Sequence, residues 1–204
     1  PLYSSAASDV YKRQALAQTP GAGGFGPNSW INIGLDGVVT LMSPASEMGQ
    51  GTMTAMPMLL AEEMDLDWSQ VRVVQSPSDP KRFGNPKFGG GMTTGASRTV
   101  QGYYEPLRLA GLQARLVMVQ AAAQAMGVPA AELRTEASRV IHTSGRAMTY
   151  AEIAKVATVP AELPKVDKSM LKPMAQFRLI GKDIPRVDVP GKSSGMAKYG
   201  IDQR

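Results

Sequence analysis

Apolar and polar residues alternate along Trp30-Ile31-Asn32-Ile33 and again along Val38-Val39-Thr40-Leu41-Met42, on either side of Asp36-Gly37. Alternation with period two around such a turn dipeptide predicts a β-hairpin. From about Met53 to Met64 the period changes. Met56, Leu59, Leu60 and Met64 recur at spacings of three and four, which predicts a helix. Thr52 or Thr54 is the candidate N-cap, and Pro57 then falls within or near the first turn, where a missing N–H costs least. Glu62 and Glu63 read as the solvated face of this helix. Asp65 to Ser69 ends it, and Val71 to Val74 reads as a strand.

Residues 76–96 form a long loop rich in proline and glycine, closed by Gly89-Gly90-Gly91. Long loops of this kind are often functional. A second, longer helix follows, with Val100, Tyr103, Leu107, Ala110, Ala114, Val117, Ala121 and Ala125 on one face. Ser97 is its candidate N-cap and Gly127 its stop. Pro106 is expected to kink or divide it. Gly102 and Gly111 predict close packing against another element. Residues 135–150 read as a small hairpin turning at Ser144-Gly145. Thr149 and Glu152 form a capping-box pair for a short helix. Residues 15–28 read as irregular, and 158–173 as a linker rich in Pro and Lys. The predicted class is α+β, with hairpins and two main helices.

Composition removes some chemistry. The 204 residues include no cysteine and one histidine, His142. Disulfides, thiolate zinc sites, multi-histidine metal sites and cysteine-held iron–sulfur clusters are excluded within this chain. His142 lies in an alternating polar stretch and reads as an exposed or half-exposed strand residue. The net charge of +5 is moderate and, apart from a cluster between Lys165 and Lys172, scattered. No basic motif is interleaved with aromatics, so nucleic acid is not an expected partner. Asp65, Asp67 and Asp79 are too dispersed for a convincing metal site. The thirteen methionines read as core filler.

The N-terminus is read separately. Ser4 to Gln14 looks like a translated sequencing adapter, so residues 1–14 are set aside and expected to make no packed contacts. Ala15-Leu16-Ala17 fits a signal-peptidase site; an alanine-rich linker fits as well.

The candidate chemistry lies in Glu47-Met48-Gly49-Gln50-Gly51-Thr52 and in Gly89 to Arg98. Both stretches are dense in glycine and precede a helix, so backbone N–H groups can face an anion. Gln50 brings an amide donor and acceptor without charge. Ordinary connecting loops fit the same local chemistry. Arg98 is either a charged donor or solvated. Glu47 is read as structural rather than as a general base. Gly191-Lys192-Ser193 is no phosphate loop, because Arg186 stands where the first glycine is required.

The run Glu47 to Thr52 resembles the cofactor-binding segment in the large subunit of molybdenum hydroxylases, the xanthine dehydrogenase and aldehyde oxidase family. Similarity extends through Glu47–Trp68, Phe83–Gly102, Pro106–Gly111 and Phe177–Lys192. The order of segments looks like the branch formed by the β-subunits of isoquinoline 1-oxidoreductases. The resemblance implies a partial molybdopterin-binding domain over 29–157, a linker over 158–173 and the start of an a/b hammerhead domain over 174–204. It implies a molybdopterin cofactor, as the cytosine dinucleotide, carrying molybdenum. It places Gly49, Gln50 and Gly51 near the metal, and Thr93, Thr94, Gly95, Ala96 and Ser97 on the pterin dinucleotide. Hydroxylation of N-heterocycles or oxidation of aldehydes follows, with electrons leaving through iron–sulfur clusters on a separate small subunit to a further acceptor. The family's catalytic glutamate belongs to a Glu-Gly motif that is not among these residues, so no catalytic residue and no direct metal ligand is expected here. By this reading the chain is a fragment without turnover of its own, and an exported, periplasmic location is expected. A non-catalytic anion- or nucleotide-binding module and a structural interaction domain are the other classes.

Overall fold

The computed structural model describes residues 24–202. The adapter-like stretch and the Ala15–Ala17 site lie outside them. A four-stranded sheet is built from β1 (Gly24–Asn28), β2 (Ile31–Gly34), β3 (Val39–Ser43) and β4 (Val71–Gln75), in that order. The expected hairpin is β2–β3, which pair antiparallel with Ile31 opposite Leu41 and Ile33 opposite Val39. β4 then returns parallel to β3, with Ser43 opposite Gln75. Helix α1 (Thr52–Glu63) is the crossover between those two strands.

Residues 24–28 are a strand rather than irregular chain. Phe25 pairs with Ile33 and is buried, while the register breaks across Gly26-Pro27. Proline is tolerated because it sits at the sheet edge and within that irregularity.

Within the long loop, α2 (Pro80–Phe83) and a 3₁₀ turn at Pro86–Phe88 add local order. Helix α3 (Arg98–Met126) ends at Gly127 with φ 67°, the left-handed stop expected there. It is continuous through Pro106, because Tyr103 and Leu107 on either side are buried and hold the turn by packing. The buried stripe includes Tyr103, Leu107, Ala114 and Val117, but Val100 and Ala125 lie outside it and are exposed. A single helix this long rotates its ends away from a fixed face.

A three-stranded antiparallel sheet follows: β5 (Leu133–Glu136), β6 (Arg139–His142) and β7 (Ala147–Thr149). His142 is half-buried and bonded to Glu132 and Ser144. Helix α4 (Tyr150–Val156) begins with the complete Thr149–Glu152 capping box. Its first residue, Tyr150, is buried and donates its hydroxyl to Met64 O at 2.7 Å, fastening this unit to α1.

The core lies between the first sheet, α1 and α3, and joins Ile31, Ile33, Leu41, Leu60, Leu107 and Val117. Gly111 lets the helices touch: a Cβ there would stand 2.7 Å from Leu60 O. Pro57 lies in the second turn of α1, past the position expected, and is buried against this core.

Glu62 and Glu63 contradict the solvated-face expectation, since both are fully buried. Glu62 accepts backbone N–H bonds from Arg178, Leu179 and Ile180 at 2.7–3.1 Å. Glu63 pairs with Arg108, whose Nη2 and Nε lie 2.6 and 2.9 Å from one carboxylate oxygen. Lys172, in the stretch read as a linker, donates to Glu62 O and Asp65 Oδ1, each at 2.6 Å. Residues 172–180 therefore pack on α1, and Leu179 joins the core. The chain then forms α5 (Val189–Ser193), which holds Gly191-Lys192-Ser193 in a short helix.

Candidate functional site

Because β3 and β4 run parallel, their carboxyl ends open at the same edge of the sheet. Ligands of sheets with parallel strands gather at that edge. The loops 44–51 and 76–97 both start there and run into the first turns of α1 and α3. They touch: Ser46 N donates to the Thr94 hydroxyl at 3.0 Å. The two glycine-dense stretches thus form one surface, and each abuts a helix N-terminus.

Their roles differ. Gly51 is the N-cap of α1, with φ 85° and no side-chain cap from Thr52 or Thr54. Glu47 caps instead. Its carboxylate accepts from Gly49 N at 2.7 Å, Gly51 N at 3.0 Å and Met53 N at 3.0 Å. Burial opposes its ionisation, but the bonds from Gly51, Met53 and Gly49 outweigh that and hold the carboxyl below its ordinary value. An anion thus already occupies the positive end of α1. The structural reading of Glu47 holds, and this helix start is not a free cradle.

Gln50 is exposed, and its amide turns back on its own loop. Oε1 accepts from Met48 N at 2.5 Å, and Nε2 donates to Ser46 O at 2.7 Å. An amide group has two N–H bonds and two oxygen lone pairs, so one of each is left to face a ligand.

The second loop divides in the middle. Gly89, Gly90 and Gly91 use their N–H groups on Pro86, Asn85 and Phe88 carbonyls, closing a turn. The consecutive N–H groups from Met92 to Ser97 bond to no acceptor among the described residues. Ala96 and Ser97 take φ of 48° and 52°, a left-handed pair that side chains rarely adopt. Strain of this kind collects at ligand clamps. Ser97 precedes α3 as expected but makes no side-chain cap, so its hydroxyl stays uncommitted there. Arg98 is folded away, donating to Lys87 O at 3.2 Å with its guanidinium 5.4 Å from the Phe88 ring.

Two residues that the pattern did not single out hold this geometry. Asn85 is fully buried, donates to Arg98 O and accepts from Lys87 N, tying the glycine turn to α3. It fits only because Gly102 lacks a side chain; a Cβ there would overlap Asn85. An asparagine before proline in a loop is a common turn residue, which is why it carried no signal. The second is Arg186, whose Nη1 reaches Gly49 O at 2.9 Å.

Comparison with known proteins agrees with this architecture. The model of the molybdopterin cofactor-binding domain matches residues 7–199. The chain is 39% identical over 215 residues to the β-subunit of isoquinoline 1-oxidoreductase from Brevundimonas diminuta, covering 90% of this chain and 28% of that protein. It is 35% identical over 191 residues to a membrane-bound aldehyde dehydrogenase (pyrroloquinoline-quinone) of Gluconacetobacter polyoxogenes, covering 91% and 23%. It is 34% identical over 175 residues to a subunit of nicotinate dehydrogenase from Pseudomonas putida, covering 86% and 14%. The chain belongs to the molybdopterin cofactor-binding domain family, and it spans less than a third of the length of each of these relatives.

Proposed function

We propose that this chain is part of the large subunit of a molybdenum-cofactor oxidoreductase that hydroxylates N-heterocycles or oxidises aldehydes. Its own share is to hold the cofactor. The observation that carries this is the run of uncommitted N–H groups from Met92 to Ser97 at the start of α3, bridged by Thr94 to the Gln50 loop. Adjacent amide donors beside a helix start suit the phosphates of a pterin dinucleotide. Thr93, Thr94, Gly95, Ala96 and Ser97 would hold those phosphates. Gly49, Gln50 and Gly51 would approach the other end, with Gln50 offering its remaining amide N–H. When bound, the molybdenum cofactor supplies the redox chemistry.

The names of the relatives support both substrate classes, through isoquinoline and nicotinate on one side and an aldehyde on the other. Two of them are named as subunits, which supports a separate small iron–sulfur subunit as partner. The cytosine dinucleotide form, a start of the hammerhead domain at 174–204 and an exported location belong to the same proposal.

Gly95 supplies the test. Open space surrounds the position of its missing Cβ, so Gly95→Ala and Gly95→Asp are both tolerated sterically. The protein, produced in cells that make the cofactor, is expected to co-purify with molybdenum and a pterin nucleotide, read by metal analysis and mass spectrometry. Gly95→Ala retains both, and Gly95→Asp loses most of them through repulsion of the phosphates. Wild-type protein carrying neither component would end this reading. Nucleotide without molybdenum would favour the non-catalytic nucleotide-binding module.

A further inference from the structure

The segment around Arg186 is far from the glycine loops in sequence, yet it grips the first of them. Arg186 Nη1 donates to Gly49 O at 2.9 Å, and Nη2 to Glu47 Oε1 at 3.3 Å, across 137 and 139 residues. Asp188 aims the fork, accepting from Arg186 Nε at 3.0 Å and Nη2 at 2.7 Å. Lys192 donates to Asp188 Oδ2, the oxygen that also accepts from Nη2, at 2.7 Å. Next to Arg186, Val187 N donates to the Thr54 hydroxyl at 3.0 Å. Arginine suits this place because one planar group reaches a carbonyl and two carboxylates at once.

These contacts address two weaknesses of the loop. The Gly49 φ of 103° lies in a region open to glycine, so the backbone needs an outside hold. Glu47 also places a negative charge one residue from Ser46, which is bonded to Thr94 of the donor stretch. A carboxylate there would repel an anionic ligand unless compensated.

We propose that Arg186 is a positioning residue for the Gln50 loop: it pins Gly49 and neutralises Glu47, so that an anion can bind beside a carboxylate. The charge part rests on the reading of Met92–Ser97 as an anion-binding stretch; the pinning part does not. With Arg186 present, Glu47 and Asp188 are balanced by Arg186 and Lys192. Without it, the Gln50 loop carries one negative charge with no cation to balance it, beside the Ser46–Thr94 contact that joins it to the donor stretch.

The test uses the full 204-residue chain. Amide hydrogen exchange is followed without ligand, and binding of inorganic pyrophosphate is measured by calorimetry. Arg186→Met is expected to speed exchange at Gly49 to Met53 about tenfold while the centre of α3 is unchanged, as for the loss of a local hold worth one or two hydrogen bonds. It also weakens pyrophosphate. Arg186→Lys keeps the charge without the fork, so affinity returns while exchange stays fast. Glu47→Gln combined with Arg186→Met also recovers affinity, which a merely structural role does not explain. Asp188→Asn, which frees Arg186 without touching the loop, speeds the same amides and serves if Arg186→Met does not fold. Unchanged exchange at Gly49 to Met53 in folded Arg186→Met protein would overturn the pinning. Equal pyrophosphate affinity in Arg186→Met and the double variant would overturn the charge part. No pyrophosphate binding by the wild-type chain would overturn the anion reading and the charge part together, and the exchange result still decides the pinning.

Discussion

At the scale of single residues, the fold depends on atoms that are absent as much as on those present. Adding a methyl at Gly111 brings it within 2.7 Å of Leu60 O and 3.0 Å of Glu63 Cβ. Backbone cannot yield cheaply there. Overpacking costs about 1–3 kcal/mol, against roughly 1 kcal/mol gained from helix propensity when alanine replaces glycine. Gly111→Ala is therefore expected to lower stability by about 1 kcal/mol, read as a reduced urea midpoint at constant slope. A second residue-scale effect is pH dependence. Burial pushes the Tyr103 hydroxyl, which donates to Phe83 O, up to about 12 from its ordinary 10.0. Burial also raises Tyr150, with the Asp65 charge adding to the shift. A raised value means that the folded state resists ionisation, so this stabilisation is complete below about pH 10 and is lost as pH rises from about 10 through about 12. Melting temperature should fall across that window. Tyr103→Phe, less stable at neutral pH because Phe83 O loses its donor, should fall less steeply.

At the scale of elements, the junction of α1, α3 and residues 172–180 is ionic where a core is usually oily. Glu63 is fully buried, and the Arg108 side chain is 8% exposed. Arg108 also donates to Lys172 O at 2.6 Å, so one guanidinium joins all three parts. Removing one partner of a buried pair leaves a charge without compensation, which costs about 3–5 kcal/mol. Arg108→Met should lose stability on that order in chemical denaturation, and Arg108→Met with Glu63→Leu should recover a large part of it. The same junction explains what periodicity missed. The spacing of Met56, Leu59, Leu60 and Met64 was enough to reveal α1. It could not reveal partners for Glu62, because those are amide groups 116 to 118 residues further on. The α4 cap, by contrast, was legible because Thr149 and Glu152 lie within one turn.

For the whole molecule, the hairpin and both main helices could be read from local pattern, and the resemblance assigned both glycine-dense loops to one cofactor. The division of labour between the loops could not. Glycine count pointed equally to Gly89–Gly91 and Gly95, yet of the two only the later stretch leaves its N–H groups without an acceptor among the described residues. Nor does local sequence say that Glu47 satisfies α1 by itself. That engagement carries a functional expectation. A general base must be free to take a proton, whereas Glu47 is bound by three backbone N–H groups and Arg186. The 204-residue chain, supplied with cofactor and a dye acceptor, should therefore not turn over an N-heterocycle or an aldehyde. Turnover that vanished in Glu47→Gln would refute this.

The burial of Glu62 also sets an order of events during synthesis. Its acceptor oxygens wait for Arg178, Leu179 and Ile180, so α1 emerges from the ribosome long before its carboxylate can be enclosed. At roughly 5–20 residues per second, that interval lasts on the order of 6–23 seconds. Through it the Glu62 face of α1 stays open to water. A chain stopped after Leu171 would leave the Glu62 carboxylate without its three backbone donors, whereas one extended past Ile180 supplies them.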